Sequence, residues 1–171
     1  HNEAKVNAHT TCNELAVKFN KEGDNKSALK YFKILTFLQP KSAIGFYNMG
    51  NTYFELKDFE NAKKFFKRSL KIEPKYEMAH ANLGVLYRTL GKNKKSQKCY
   101  EEAIRINPKN ANNYYNLAIS FNEVGQIDNA EKNYEKAILA DPKHVGSYHN
   151  LALLHEARGQ TKEALNIAKK V

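Results

Sequence analysis

Apolar residues recur along the chain with the period of an α-helix. Within residues 46–56 they fall at Phe46, Met49, Gly50, Tyr53 and Phe54, which places them on one side of a helix. Most of the other positions of this segment are polar or charged, among them Asn48, Asn51, Thr52 and Glu55. The pattern predicts short amphipathic helices, and we expect the chain to be all-α.

Proline and glycine divide these helical segments at a fixed interval of 34 residues. The four prolines, each followed by a lysine, are Pro40, Pro74, Pro108 and Pro142. Proline cannot continue a helix, and it disfavours helical geometry in the residue before it. Glycines that could end a helix in the left-handed conformation recur at Gly23, Gly91, Gly125 and Gly159, and Lys57 stands at the second of these positions. This pattern therefore predicts that each repeat consists of helix A, a tight turn, helix B and a proline break. Asn93 and Thr161 are candidate N-caps for helix B.

Further columns share the 34-residue interval. Small residues recur at Ala16, Gly50, Gly84, Ala118 and Ala152, and aromatic residues at Phe32, Phe66, Tyr100 and Tyr134. A single pair of short helices cannot bury its apolar face alone, whereas three or more stacked pairs form a continuous core. The sequence predicts one array of repeats at about 9–42, 43–76, 77–110, 111–144 and 145–171, the last of them truncated.

The columns resemble the tetratricopeptide repeat family. In the fourth repeat the family pattern is matched by Tyr114, Leu117, Ala118, Phe121, Ala130, Tyr134, Ala137 and Pro142. The resemblance covers about residues 9–171. It implies a right-handed α-solenoid of antiparallel helix pairs in which helix A lines the concave side.

On that concave side the resemblance places a ladder of asparagines, one per repeat, at Asn48, Asn82, Asn116 and Asn150. An asparagine carboxamide offers two donors and one acceptor group, so it can pair with both the N–H and the C=O of an extended peptide. The neighbouring positions of the predicted peptide groove are Tyr47, Asn51, Phe54, Asn112, Tyr115 and His149. A purely structural role for the asparagines in helix packing remains the alternative.

Some members of the family bind the carboxyl-terminal tails of heat-shock chaperones through a clamp of lysine, arginine and asparagine. The corresponding positions of this chain hold no basic residue in any of the three possible registers; in the second they are Tyr47, Asn51, Asn82, Asn112 and Asn116. Charged donors are what make such a clamp strong. We therefore expect chaperone tails not to be partners.

The formal net charge is +10, from 28 basic and 18 acidic residues. The strongest basic runs, on helix B, are Lys63, Lys64, Lys67, Arg68 and Lys71, and Lys92, Lys94, Lys95 and Lys98. A solvated face of mixed charge is one interpretation, and a basic patch for an acidic protein, nucleic acid or anionic membrane is the other. No nucleic-acid-binding motif accompanies the runs, which argues against nucleic acid.

No catalytic, metal-binding or cofactor motif stands out, so we expect neither enzymatic activity nor a cofactor. The two cysteines, Cys12 and Cys99, do not form a disulfide framework, and a cytoplasmic or nuclear location is expected. No apolar run is long enough to span a membrane.

The sequence favours a non-catalytic scaffold that binds an extended partner peptide in the groove. Two alternatives remain open at this point. The chain could be the substrate-recognition arm of a larger enzyme, since the asparagine ladder is similar to that of the O-linked N-acetylglucosamine transferases. It could also self-associate through uncovered ends, because Leu165 and Ile167 are apolar and no capping helix follows. We expect either that the natural protein continues or that this end packs on another chain.

Overall fold

A computed structural model describes residues 2–170, and it describes the side chains from residue 10 onward; His1 and Val171 lie outside the described residues. In that range the backbone forms ten α-helices and no β-strand. In chain order they are α1 (Asn2–Lys21), α2 (Asn25–Leu38), α3 (Ala43–Glu55), α4 (Phe59–Ile72), α5 (Glu77–Thr89), α6 (Asn93–Ile106), α7 (Ala111–Glu123), α8 (Ile127–Ala140), α9 (Val145–Ala157) and α10 (Thr161–Ala168). The all-α repeat fold is confirmed, with one helix pair in each predicted repeat. The first helix, α1, begins at Asn2, seven residues before the predicted start of the first repeat at about residue 9.

The tight turn within each pair has a left-handed residue where the sequence predicts one. Gly23, Gly91, Gly125 and Gly159 have φ between 67° and 78°. Lys57, which replaces glycine in the second repeat, adopts φ 59° and is the one non-glycine residue of the described chain with positive φ. The turn geometry is therefore common to all five pairs, and one pair forms it without glycine.

The predicted N-caps of helix B are wrong by one residue. The structure places Lys92 and Gln160 at the N-cap positions of α6 and α10, and neither side chain makes a capping hydrogen bond. Asn93 and Thr161 are instead the first residues inside these helices. An N-cap side chain has to precede the first helical residue to reach the exposed N–H groups, which the sequence pattern did not resolve.

The chain divides into two compact units, His1–Leu86 and Tyr87–Val171. Unit 1 packs its core around Ala16, Ala28, Phe32, Leu35, Phe46 and Met49. Unit 2 packs its core around Ala118, Ala130, Tyr134, Leu151 and Leu154. In both units residues of the small and aromatic columns are buried; Phe66 and Tyr134 are each 1% exposed.

The last helix is only partly covered. Leu165 is 55% exposed, as expected for a residue on an uncovered face. Ile167 was expected on the same uncovered face, but it packs against the core of unit 2 that contains Ala118 and Leu154. The apolar surface left by α10 is therefore smaller than the sequence suggests.

Candidate functional site

A pocket of about 470 Å³ opens in unit 1 between the first helices of successive repeats. Its lining residues are Asn20, Gly23, Asn25, Asn51, Phe54, Glu55, Phe66, Asn82 and Val85. Most of them stand on α1, α3 and α5, because residues spaced by about 34 occupy the same face of equivalent helices. Three of the predicted groove residues, Asn51, Phe54 and Asn82, are brought together here.

The Asn82 carboxamide is held in one orientation by its neighbours. Its Nδ2 donates to the Tyr47 hydroxyl at 3.1 Å and to Oδ1 of Asn51 at 2.7 Å. Both N–H groups of Asn82 are thereby used within unit 1, and its Oδ1 is left as an acceptor. Asn51 accepts through Oδ1, so its Nδ2 is left as a donor.

Asn20 is fixed in the same manner on the other side of the pocket. Its Nδ2 donates to Oδ1 of Asn25 at 3.2 Å and to the Thr52 hydroxyl at 3.3 Å. Thr52 is fully buried and donates to the backbone oxygen of Asn48 at 2.9 Å. Burial and hydrogen bonds together therefore fix the orientation of the Asn20, Asn51 and Asn82 side chains, called here the amide wall.

Tyr47, which the sequence places in the peptide groove, is a buried residue. Its side chain is only 8% exposed, so it is not an open apolar contact for a ligand. Its ring packs against Tyr76 at 5.1 Å between centroids, and its hydroxyl positions Asn82. Burial raises the pKa of the Tyr76 hydroxyl to about 12.

Unit 2 contains a network of the same kind. Nδ2 of Asn150 donates to the hydroxyls of Tyr115 at 3.3 Å and Tyr134 at 3.4 Å. The Tyr115 ring packs on His144, whose Nε2 lies 3.1 Å from Oδ1 of Asn112. Asn82 follows Tyr47 by 35 residues, and Asn150 follows Tyr115 by the same number, so alternate repeats hold their ladder asparagine through a tyrosine.

The other two ladder asparagines behave differently. Asn48 and Asn116 are half-buried, and among the described residues their side chains make no hydrogen bond. Asn112 and His149 are exposed, and neither lines the unit 1 pocket. The ladder therefore consists of two amides held by tyrosines and two whose side chains make no hydrogen bond among the described residues.

Sequence reasoning did not single out Asn25 and Thr52 as part of this site. Asn25 opens α2 just after the turn glycine Gly23, and Thr52 is buried between helices. Neither belongs to the ladder column, so the 34-residue pattern gave no signal for them. Their contribution becomes visible only through the hydrogen bonds that they accept from Asn20.

The chemistry of this site is that of neutral hydrogen bonds beside an apolar wall. Glu55 is the one charged residue in the pocket lining, and Phe54 and Val85 supply apolar surface. Within the part of the chain that the structure describes, no group of histidine, cysteine or acidic side chains could hold a metal ion. None of the described helices has the length and apolar character needed to cross a bilayer.

Comparison with known folds supports the architecture. The chain resembles MamA, residues 41 to the end, from Desulfovibrio magneticus RS-1, with 21% identity, a TM-score of 0.82, and coverage of 95% of this chain and 92% of that one. It also resembles PilF of Pseudomonas aeruginosa at 12% identity and a TM-score of 0.85, covering 98% of this chain and 78% of that one. The tetratricopeptide repeat protein YrrB matches at 19% identity and a TM-score of 0.70, covering 91% and 80% of the two chains. These likenesses show the fold alone.

No curated protein sequence matches the chain. Family models do match it: two models described as tetratricopeptide repeat match residues 43–76 and 78–110, and residues 109–171. Together with the helix pairs, the turn residues and the buried small and aromatic columns, these matches establish that the chain belongs to the tetratricopeptide repeat family.

Proposed function

We propose that this chain is a non-catalytic protein-interaction scaffold that binds an extended segment of a partner protein. The observation that supports it best is the unit 1 pocket, in which two amide side chains present one acceptor, Oδ1 of Asn82, and one donor, Nδ2 of Asn51. A peptide group in an extended chain presents the complementary N–H and C=O. Phe54 and Val85 then contact an apolar side chain of the bound segment.

The pre-organisation of the pocket also supports this proposal. A wall whose amides are already held by Tyr47, Thr52 and Asn25 loses little conformational freedom when a peptide binds. Asn48 and Asn116, whose side chains have no hydrogen bond among the described residues, are proposed as further contacts to the partner's main chain. We assign Asn112, Tyr115, Asn150 and His149 the same kind of contact in unit 2. The fold is compatible with such binding, since the similar YrrB structure is described as that of a tetratricopeptide repeat protein with an unusual peptide-binding site.

The sharpest test changes one atom of the pocket. In Asn51→Asp the Oδ1 acceptor that Asn82 uses is retained, but the Nδ2 donor is replaced by oxygen. A peptide selected from a displayed random library against the wild-type chain serves as the probe, and its affinity is measured by fluorescence anisotropy. We expect Asn51→Asp to weaken binding by about tenfold or more, because a peptide carbonyl loses its partner.

The matched control is Asn122→Asp, which introduces the same charge at an exposed position on α7 in unit 2. It should leave the affinity within about twofold of wild type, as expected for an exposed charge outside the pocket. Circular dichroism establishes that both variants remain folded. An Asn51→Asp affinity equal to that of wild type would remove the unit 1 pocket from the proposal.

A further inference from the structure

The second helix of unit 1 presents an unusual solvent face. On α2 the exposed residues Lys26, Lys30, Lys33 and Phe37 fall within one helical stripe, at spacings of three, four and seven residues. Phe37 is 83% exposed, and Ile34 and Leu38 beside it are 38% and 37% exposed. The helix contains no acidic residue. The stripe therefore consists of three lysines followed by an exposed aromatic ring near the C-terminal end of the helix.

The equivalent helix of the next repeat continues this character. The positions 34 residues after those of α2 hold Lys64, Lys67, Arg68 and Lys71, all exposed, together with Glu60. Glu60 is the only acidic residue of α4, and it is paired with Lys63 at 2.6 Å. The Arg68 guanidinium lies over the Phe46 ring at 4.0 Å, so the core of unit 1 orients this cation.

The corresponding helices of unit 2 show that the repeat itself does not impose this charge. On α6 the equivalent solvent face mixes Lys94, Lys98 and Arg105 with Glu101 and Glu102, and Glu102 pairs with Arg105 at 2.8 Å. On α8 it mixes Lys132 and Lys136 with Asp128 and Glu135. Leu139 on α8 is as exposed as Phe37 but stands among mixed charges. A compositional bias toward lysine would affect all four helices alike, whereas the stripe has no carboxylate on α2 and only Glu60 against four cations on α4.

We propose that the solvent face of α2 and α4, called here the basic face, binds the surface of an anionic lipid bilayer. It comprises Lys26, Lys30, Lys33, Phe37, Lys64, Lys67, Arg68 and Lys71. Lysines near a bilayer are attracted to acidic headgroups, and an exposed aromatic side chain can bury itself at the boundary between headgroups and acyl chains. The protein lies on the membrane in this arrangement and does not span it.

The kind of cation favours a bilayer over a structured anionic partner. Six of the seven cations of the basic face are lysines, and among the described side chains none of these six forms an ion pair. Lysine is a flexible, compact charge that gives little geometric selectivity, whereas arginine forms the planar, paired contacts that single out particular carboxylates or phosphates. A fluid surface of mobile headgroups requires no fixed geometry. This inference is independent of the proposed peptide binding, because the pocket lining and the basic face share no residue.

The experiment is sedimentation of the full chain with vesicles of phosphatidylcholine containing about 30% phosphatidylserine, compared with pure phosphatidylcholine vesicles. We expect binding to the anionic vesicles only, and a steep loss of that binding between about 50 and about 500 mM salt. Replacing Lys30, Lys33, Lys64 and Lys67 together by glutamine should weaken binding by about a hundredfold or more. Phe37→Ser should weaken it by about tenfold at unchanged charge.

Unit 2 supplies matched controls for both changes. Replacing Lys94, Lys98, Lys132 and Lys136 by glutamine removes the same number of charges from the equivalent face, and Leu139→Ser removes an equally exposed apolar side chain. All positions are exposed, so every variant should keep the wild-type circular dichroism spectrum. The expected result is that both control variants bind vesicles within about threefold of wild type.

Three outcomes would overturn the proposal. The first is a failure of the wild-type chain to sediment with anionic vesicles at low salt. Equal losses from the unit 1 and unit 2 lysine variants would show a net-charge effect with no special face. Tighter binding to a random-sequence DNA duplex or to polyglutamate than to the vesicles, at the same ionic strength, would assign the basic face to a different anionic partner.

Discussion

Gly50 illustrates how closely one residue can constrain a repeat. A Cβ atom at this position would lie 2.6 Å from Cδ1 and 2.7 Å from Cε1 of Phe66, which is itself only 1% exposed. Ala16 and Ala118 occupy the same column in other repeats, so a methyl group is compatible with the fold but not with this position of the Phe66 ring. The close approach of α3 and α4 therefore depends on the absence of a Cβ atom at Gly50.

At this scale we predict that Gly50→Ala destabilises unit 1. The methyl group displaces a buried ring in a packed core, which costs about 1–3 kcal/mol in the free energy of unfolding. Chemical denaturation followed by circular dichroism measures the loss. In Gly50→Ala/Phe66→Leu the smaller side chain leaves room for the methyl group, so the two changes should be less than additive. Fully additive losses would mean that the steric contact is not the cause.

The same residues show where sequence reasoning stops. The 34-residue interval predicted the small column that contains Gly50 and the asparagine column that contains Asn82. It could not predict that Asn82 donates to Tyr47 and Asn51, because hydrogen bonds between repeats depend on side-chain orientation and burial. For the same reason Tyr47, expected in the peptide groove, proved to be buried.

The helices differ in how their N-termini are stabilised. In unit 1 the N-caps of α2 and α4 are Asp24 and Asp58, which accept from the N–H groups of Ser27 at 3.1 Å and Asn61 at 3.2 Å. At the equivalent positions of α6, α8 and α10, Lys92, Gln126 and Gln160 make no side-chain cap. Helix B is thus capped by a titratable group in unit 1 only.

These caps predict an acid dependence of stability. Hydrogen bonds from Ser27 and Asn61 hold the pKa values of the Asp24 and Asp58 carboxyls below their ordinary value of 3.8. The capping contribution is therefore present above about pH 4, and it is lost as the pH falls through the lowered pKa values. In Asp24→Asn/Asp58→Asn an amide oxygen still caps each helix, so stability at pH 7 should change little, and its loss below about pH 4 should be shallower.

The measurement is the denaturation midpoint of the chain between pH 7 and pH 2.5, read by circular dichroism. Gln126→Asn serves as control, since it changes an equivalent N-cap of unit 2 without adding or removing a titratable group. Its midpoint should follow the wild-type pH profile. An unchanged acid profile in the double aspartate variant would show that other carboxyls cause the acid sensitivity.

For the whole molecule, the sequence predicted the repeat fold because its columns report burial, and burial repeats every 34 residues. The contacts group the chain into two compact units with the division after Leu86, inside α5, which the 34-residue period does not indicate. The contrast between the basic face of α2 and α4 and the mixed faces of α6 and α8 was hidden in a formal net charge of +10. A net charge does not show which side chains are exposed on one face, and that information required the structure.

The two proposed surfaces of unit 1 predict independent binding of a peptide and a membrane. The pocket lies among α1, α3 and α5, and the basic face consists of exposed residues of α2 and α4. Two sites that share no residue and need no conformational change have no coupling free energy, so saturating peptide should leave vesicle affinity within about twofold. The salt responses should differ as well: vesicle binding falls steeply, while peptide binding through neutral hydrogen bonds changes little. Co-sedimentation of labelled peptide with vesicle-bound protein measures both, with the Asn51→Asp variant as a control that should reach the vesicles without carrying peptide. Competition between peptide and vesicles would show that the two surfaces overlap or are coupled.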